Sequence, residues 1–159
     1  MSSRRMESHT WDRTLDPDVV PLFLHLQWAH ARSLESMRPS LAAHGLSVAE
    51  FDVLATLRNA PAPHLLTPSQ LQAEAVVTSG GLTKIMLQLE ARGLVERPPS
   101  PRDQRVKPVR LSAAGARLIE AAMAECLDEA GRWIRSALEA AEIRQLSTLL
   151  AKLVDAPAP

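Results

Sequence analysis

The sequence predicts a mainly α-helical protein with one small pair of β-strands, and three observations support this fold class. Apolar residues recur every three or four positions over most of the chain, which is the spacing of amphipathic helices. Residues that typically begin helices precede several of these stretches. One proline-rich turn, Pro98-Pro99-Ser100-Pro101, separates two short runs of strand character.

The N-terminal part of the chain predicts a loose polar segment, residues 1–16, and then a long helix within residues 17–46. The stripe of this helix consists of Val19, Phe23, Leu26, His30, Leu34, Met37 and Leu41. Further apolar residues make its first half apolar on nearly every side, namely Val20, Leu22, Leu24 and Trp28. Such a helix needs more than one covering surface, so we expect a second subunit to supply part of the cover.

Residues 47–111 predict a second unit that contains three shorter helices. Ser47 and Glu50 form a capping box that begins the first, which ends at Asn59. Thr67 and Pro68 begin a short second helix. The third begins at Thr78 or Ser79, ends at Gly93 and has the stripe Leu82, Ile85, Met86 and Leu89. A short helix, a tight turn and a longer helix form a helix-turn-helix arrangement.

The residues after this third helix predict a wing, which is a pair of strands with an extended tip. Residues 94–97 and 105–111 are the expected strands, and the proline-rich turn begins the tip. Because proline cannot donate a ladder hydrogen bond, Pro108 predicts either an edge strand or an irregular position.

Residues 112–155 predict two further helices. Ser112 caps the first, whose stripe is Leu118, Ile119, Ala122, Met123, Cys126, Trp133 and Ile134. The last carries Ile143, Leu146, Leu150 and Leu153. The apolar faces of the first and last helices of the chain are too extensive for one subunit, so we expect a homodimer.

Charge is balanced over the whole chain but not locally. The 18 basic residues equal the 18 acidic ones, whereas residues 92–110 hold six basic and two acidic side chains. Six minus two leaves +4 in this stretch and −4 elsewhere. A local basic stripe favours a phosphate-binding surface. A solvated basic surface without a partner is the alternative.

Several classes of protein are not expected. Residues 1–13 lack the apolar core of a signal peptide, and no apolar stretch is long enough to span a bilayer. The single cysteine, Cys126, suits a reducing cytoplasm and lies on an apolar stripe, where we expect it to fill the core rather than act as a redox switch. The histidines show no metal-ligand spacing, and no nucleophile–base arrangement is evident. We therefore expect a cytoplasmic protein with no metal, no cofactor and no enzymatic activity.

Residues 66–115 resemble the multiple-antibiotic-resistance regulator (MarR) family of winged helix-turn-helix transcriptional regulators. The matching residues are Leu66-Thr-Pro-Ser-Gln-Leu71, Leu89-Glu-Ala-Arg-Gly-Leu-Val-Glu-Arg97, Asp103-Gln-Arg105 and Leu111-Ser-Ala-Ala-Gly115. The resemblance implies a mainly α fold with a small β-wing, in which residues 17–46 and 112–155 are dimerisation helices. It also implies a homodimer that binds a pseudo-palindromic DNA operator and represses transcription until a small ligand releases it.

The third helix of the central unit would then be the recognition helix. Its outward residues Thr83, Lys84 and Gln88 can donate hydrogen bonds to base edges or to the DNA backbone. Gly80 lets the backbone amides at the helix start approach a phosphate, next to Thr78 and Ser79. A polar face that is simply solvated is the alternative.

The wing tip supplies the remaining expected DNA contacts. Arg105 would enter a minor groove, with its direction fixed by the carboxylate of Asp103. Arg102 would contact a phosphate. A surface ion pair without a binding role is the alternative for Asp103 and Arg105.

A finer likeness is to the urate-responsive subgroup of this family, through the segment around Trp11, Phe51-Asp52-Val53-Leu54 and Thr78-Ser79-Gly80. It makes Trp11 and Asp52 candidate ligand-binding residues. Otherwise Trp11 is a packing anchor and Asp52 an acid favoured by the helix dipole. This chain has Ile85 and Gln27 where the subgroup carries arginines, so we expect a small, uncharged or weakly polar aromatic effector rather than urate.

A second class of function stays open on the sequence. A winged helix can also serve as a protein-interaction module, in which the basic wing would dock on an acidic partner. Salt-dependent binding to random duplex DNA separates the two classes, because phosphate contacts release counterions.

Overall fold

The computed structural model of the protein describes residues 16–75, 79–98 and 108–157, with the side chains of Ser79 and Gly80 left out. The elements are α1 Val19–Ala43, α2 Val48–Asn59, β1 Leu65–Leu66, α3 Pro68–Glu74, α4 Ser79–Ala91, β2 Val95–Glu96, β3 Val109–Leu111, α5 Ala113–Arg135 and α6 Ala140–Val154. The predicted fold class, mainly helical with a small β-sheet, is confirmed. The chain divides into two compact units, Met1–Glu35 and Ser36–Pro159.

The first unit contains the N-terminal part of α1. The carboxylate of Asp16 accepts hydrogen bonds from the backbone amides of Val19 and Asp18, which begins the helix. These bonds lower the pKa of Asp16. Val19 and Phe23 are exposed, and the rings of His25 and Trp28 meet edge to face with centroids 5.9 Å apart.

The second unit has its hydrophobic core around α2. Val53, Leu54 and Leu57 of this helix are fully buried. The helix packs against α3, α4, α5 and β3. The rest of the core consists of Leu41, Leu46, Ala60, Leu66, Leu71, Leu82, Ile85, Met86, Leu89, Leu94, Val95, Val109, Ile119, Ala122 and Cys126. The expected core position of Cys126 is confirmed, and burial, then the nearby Glu125 and Glu129, raise the pKa of its thiol.

The predicted helix starts agree with the observed caps. Ser47 and Glu50 form a reciprocal capping box at the start of α2. Thr67 forms the same arrangement with Gln70 at the start of α3. The hydroxyl of Ser112 accepts a hydrogen bond from the amide of Gly115 at the start of α5. These signals are local in sequence, which is why they are readable before the fold is known.

The sheet differs from the predicted two-stranded wing in two respects. The first is an additional strand, β1, which makes an antiparallel sheet of order β1-β3-β2. The second is the place of β3, which is central rather than an edge strand and pairs with both neighbours. Pro108 lies immediately before β3, outside the ladder, so its missing donor does not interrupt the pairing. Of the two alternatives for Pro108, the edge strand was wrong, because the two-residue β1 is too short to show a strand pattern in the sequence, whereas the irregular position agrees with a proline that lies outside the ladder.

Helix α6 follows α5 and has no buried residue. Its leucines include Leu146, Leu149 and Leu153, which are about half exposed. No helix in the described ranges combines the length and apolar character required to cross a membrane.

Candidate nucleic-acid interface

Helix α4 has one buried apolar face and one exposed face. Leu82, Ile85, Met86 and Leu89 belong to the core, as the sequence predicts. Thr83, Lys84 and Gln88 are exposed on the other side. The polar groups proposed for DNA contact are therefore available to a partner, and they project from a helix whose opposite face is fixed by packing.

The start of α4 is Ser79, one of the two expected positions. Ser79 and Gly80 are its first two residues, so their backbone amides lie at the helix N-terminus, the end that favours anions. Thr78 lies outside the described residues.

The end of α4 is held by backbone and side-chain hydrogen bonds. Gly93 has a φ of +66°, which favours glycine, and its amide donates to the carbonyl of Glu90 at 2.9 Å. The amide of Leu94 donates to the carbonyl of Leu89 at 2.9 Å, which completes a Schellman motif. The hydroxyl of Ser112 donates to the carbonyl of Gly93 at 2.6 Å. The last turn of α4 is thereby tied to the start of α5.

Gly115 allows this close approach of α5. A Cβ atom at Gly115 would lie 1.9 Å from the carbonyl oxygen of Leu94, a distance that no side chain can adopt. Gly115 belongs to the family-like segment Leu111–Gly115, but no physical reason for a glycine at this position is visible in the sequence alone. The reason is the contact with Leu94, which lies 21 positions earlier in the chain.

An ion pair connects α2 to the turn that follows α4, between the exposed side chain of Arg92 and the half-buried side chain of Glu50. Arg92 Nη1 donates to Glu50 Oε1 at 2.8 Å, and Glu50 Oε2 accepts from the amide and hydroxyl of Ser47 at 2.9 and 2.8 Å. Burial acts to raise the pKa of Glu50, but the hydrogen bonds from Ser47 and the charge and hydrogen bond of Arg92 outweigh it, so the pKa is lowered. The capping box was predictable, whereas the role of Arg92 was not.

Ion pairs also change the interpretation of the basic stripe. Arg97 pairs with Glu90, and Arg110 pairs with Glu96 across β2 and β3, with Arg110 Nη2 and Glu96 Oε2 at 3.0 Å. Together with Arg92, three of the six basic side chains counted in residues 92–110 are thus paired with carboxylates. The net count of +4 for residues 92–110 overstated the positive charge that is free to attract a partner. Glu50 and Glu90, which pair with Arg92 and Arg97, lie outside the counted stretch. Lys84 makes no ion pair with any carboxylate of the described ranges.

The other predicted site residues fall into two groups. Arg102, Asp103 and Arg105 at the wing tip lie outside the described residues, as does Trp11. Asp52 is described, lies half-buried on α2, and its backbone carbonyl accepts a hydrogen bond from the Thr56 hydroxyl at 2.8 Å. Ile85, which stands where the urate-responsive subgroup has an arginine, belongs to the core.

The order α3, α4, β2 and β3, packed on α2 and α5, defines a winged helix-turn-helix domain, a class of DNA-binding domain. The family model described as MarR family matches residues 44–106. This range begins just before α2 and contains α3, α4 and β2.

Two curated proteins are similar to this chain. The multiple antibiotic resistance protein MarR of Escherichia coli is 27% identical over 137 residues, which cover 86% of this chain and 93% of that protein. The HTH-type transcriptional regulator PecS of Dickeya dadantii is 33% identical over 108 residues, 68% of this chain and 64% of that protein.

Solved structures extend the likeness to the terminal helices. A cysteine-to-serine mutant of E. coli MarR complexed with operator DNA superposes with a TM-score of 0.75 at 27% identity, over 87% of this chain and 97% of that one. NadR in complex with 4-hydroxyphenylacetate gives a TM-score of 0.70 at 25% identity, over 94% and 99% of the two chains. The protein belongs to the MarR family and is a DNA-binding transcriptional regulator.

Proposed function

We propose that the protein is a cytoplasmic repressor that binds a pseudo-palindromic operator as a homodimer, without catalytic activity. Each subunit inserts α4 into a major groove and its wing into the neighbouring minor groove, with half-sites about 10 base pairs apart. The observation that carries this proposal is the exposed polar face of α4. The opposite face of the same helix is buried in the core, and hydrogen bonds hold its C-terminal end in place.

The exposed face determines what α4 can recognise. The amide of Gln88 can both donate and accept hydrogen bonds at a base edge, and the Thr83 hydroxyl can do the same. Lys84 supplies a cation that no described carboxylate neutralises, which suits a phosphate or a guanine edge. The backbone amides at Ser79 and Gly80, next to Thr78, would contact a phosphate.

The wing contributes the sequence-predicted contacts. Arg105 would enter the minor groove with Asp103 fixing its direction, and Arg102 would contact a phosphate. Arg92, Arg97 and Arg110 form ion pairs with carboxylates. The electrostatic attraction of α4 and the wing for DNA therefore depends on Lys84 and on the basic residues of the wing tip.

The dimer would be formed by the terminal helices. Helix α6 leaves a stripe of leucines about half exposed and buries none of its residues, and Val19, Leu22 and Phe23 of α1 are exposed as well. Large exposed apolar patches mark interaction surfaces. A second copy of the same chain covers such a face by twofold symmetry, which also matches the symmetry of a pseudo-palindromic operator.

A small aromatic compound is the proposed effector. NadR, which has the same fold at 25% identity, is in complex with 4-hydroxyphenylacetate, an aromatic carboxylate, so the aromatic ring of that ligand, and not its charge, supports this proposal. We keep Trp11 and Asp52 as the proposed ligand-contacting residues. The carboxylate of Asp52 would disfavour a carboxylate ligand beside it, which is consistent with an uncharged or weakly polar effector.

The test begins with selection of a bound sequence from random duplex DNA by the full-length protein. We expect an enriched pseudo-palindrome whose affinity falls as salt rises. Lys84→Ala should weaken binding and reduce the slope of log affinity against log salt by about one if Lys84 contacts a phosphate. Lys152→Ala, which removes an exposed lysine from α6, is the matched control and should leave the slope unchanged.

Two results would contradict the proposal. Equal, salt-insensitive affinity for selected and random duplexes would favour the protein-interaction module instead. A Lys84→Ala variant that binds the selected duplex with unchanged affinity and slope would show that α4 does not face DNA.

A further inference from the structure

One residue at the middle of the exposed face of α4 has no polar group. Leu87 is 60% exposed, although it lies on the helix that carries Leu82, Ile85, Met86 and Leu89 in the core. Among the large apolar residues of α4 with described side chains, Leu87 is the one outside the core.

The position of Leu87 follows from helix geometry. At 3.6 residues per turn, Leu87 is displaced around the helix by about 40° from Thr83 and about 60° in the opposite sense from Lys84. It therefore lies between Thr83 and Lys84, two of the three side chains of α4 proposed to contact DNA. Its displacement along the axis is about 6 Å from Thr83, or roughly two base-pair steps at the 3.4 Å spacing of one DNA strand.

A single exposed leucine elsewhere on a protein surface would need no explanation. Here the leucine occupies the centre of the surface that the proposed function places against DNA, so docking would bury it. A buried isobutyl group gains nothing from hydrogen-bonding base atoms, and it would leave any such atom unsatisfied. In the major groove the apolar feature of a base is the 5-methyl group of thymine.

We propose that Leu87 is a specificity-determining residue that contacts a thymine 5-methyl group in each half-site. This inference rests on the proposed function of α4 as the recognition helix. The hydrogen bonds of Thr83 and Gln88 would select their own bases, while Leu87 would exclude cytosine, which presents an amino group and lacks the methyl group at this edge.

The experiment removes only the methyl group. In the duplex selected by the full-length protein, each thymine is replaced in turn by deoxyuridine, and affinity is measured by mobility shift at constant salt. One thymine per half-site should show about a fourfold loss of affinity, since one buried methyl group is worth about 0.8 kcal/mol and 1.4 kcal/mol corresponds to tenfold.

Variants then connect that thymine to Leu87. Leu87→Ala should bind the thymine and deoxyuridine duplexes nearly equally, whereas Leu87→Met, which keeps an apolar side chain of similar reach, should retain the preference. Leu127→Ala is the matched control, because Leu127 is an equally large exposed leucine on α5. It should leave the thymine preference as in the unmodified protein.

The outcomes separate this inference from the proposed function. Sequence-specific binding in which no deoxyuridine replacement matters, or in which Leu87→Ala keeps the full thymine preference, would overturn the role of Leu87 while leaving α4 as the recognition helix. Failure of the unmodified protein to enrich any duplex would overturn both.

Discussion

Helices α2 and α6 have similar lengths, 12 and 15 residues, but opposite surroundings. Three side chains of α2, Val53, Leu54 and Leu57, are fully buried, and four other elements pack around this helix. Helix α6 has no buried residue, although its apolar residues recur at regular helical spacing.

The difference shows what an amphipathic pattern does and does not specify. The pattern indicates that a helix needs a covering surface, but it does not identify the molecule that supplies it. For α2 the cover comes from its own chain. For α6 the proposed cover is a second copy, and the two helices should therefore respond differently to the loss of a leucine.

The largest expected effect is at α2. Leu57→Ala leaves a cavity among fully buried neighbours and should lower the free energy of unfolding by about 2–5 kcal/mol. Urea denaturation at fixed protein concentration measures this loss. A loss below 1 kcal/mol would show that the cavity collapses, contrary to the close packing around α2.

The corresponding change at α6 should act on association. The double variant Leu149→Ser with Leu153→Ser places hydroxyls on the half-exposed leucine stripe of α6. Because each leucine is about half exposed, the two together bury about as much in the dimer as one whole leucine, and the free energy of dimer dissociation should fall by about 1.5–3 kcal/mol. Sedimentation over a dilution series measures the shift. Thr148→Ala, also exposed on α6, is the control and should leave association unchanged. An unmodified protein that is monomeric at micromolar concentration would refute the dimer.

Two glycines of α5 make a sharper comparison within one helix. Gly115→Ala should destabilise the protein by about 1–3 kcal/mol, because the new Cβ atom would lie 1.9 Å from the Leu94 carbonyl oxygen. Gly131→Ala should stabilise it by up to about 1 kcal/mol, because its Cβ atom meets only the flexible end of Arg135 and alanine is the better helix former. Thermal unfolding of both variants should show shifts of opposite sign.

The smallest expected effect concerns the ion pair between α2 and α4. Glu50→Gln should cost about 1 kcal/mol at neutral pH, the usual size of a lost cap or hydrogen bond. Because the pKa of Glu50 is lowered on folding, its carboxylate stabilises the protein above the ordinary value of 4.5, and this contribution is lost as the pH falls through the lower value in the folded protein. The stability difference between the two proteins should shrink in acid. A difference that is constant from pH 7 to pH 3 would contradict this assignment.

Most of the fold could be predicted because its signals are short-range. Capping boxes at Ser47 and Thr67, the capping serine Ser112 and the stripe of α4 each depend on residues within a few positions of one another. The exposed positions of Thr83, Lys84 and Gln88 follow from the same periodicity. Their contacts with DNA, like those proposed for the wing tip, stay predictions.

Features that depend on distant residues could not be predicted in this way. Glu50 and Arg92 are 42 positions apart, and nothing in the sequence identifies them as partners. The same holds for β1, whose two residues pair with β3 more than forty positions later. Ion pairs of this kind also explain why the count of basic residues in 92–110 was misleading. It described the composition correctly, but not the charge that remains free to attract a partner.

The sequence by itself determined where the helices begin, which face of each is apolar and that a wing follows the third helix of the central unit, because these properties arise from local hydrogen bonding and from periodicity. Tertiary structure decided which arginines are neutralised, why Gly115 must lack a side chain and that β3 is central. These outcomes depend on which distant surfaces meet, and only the packing of the folded chain brings those surfaces together.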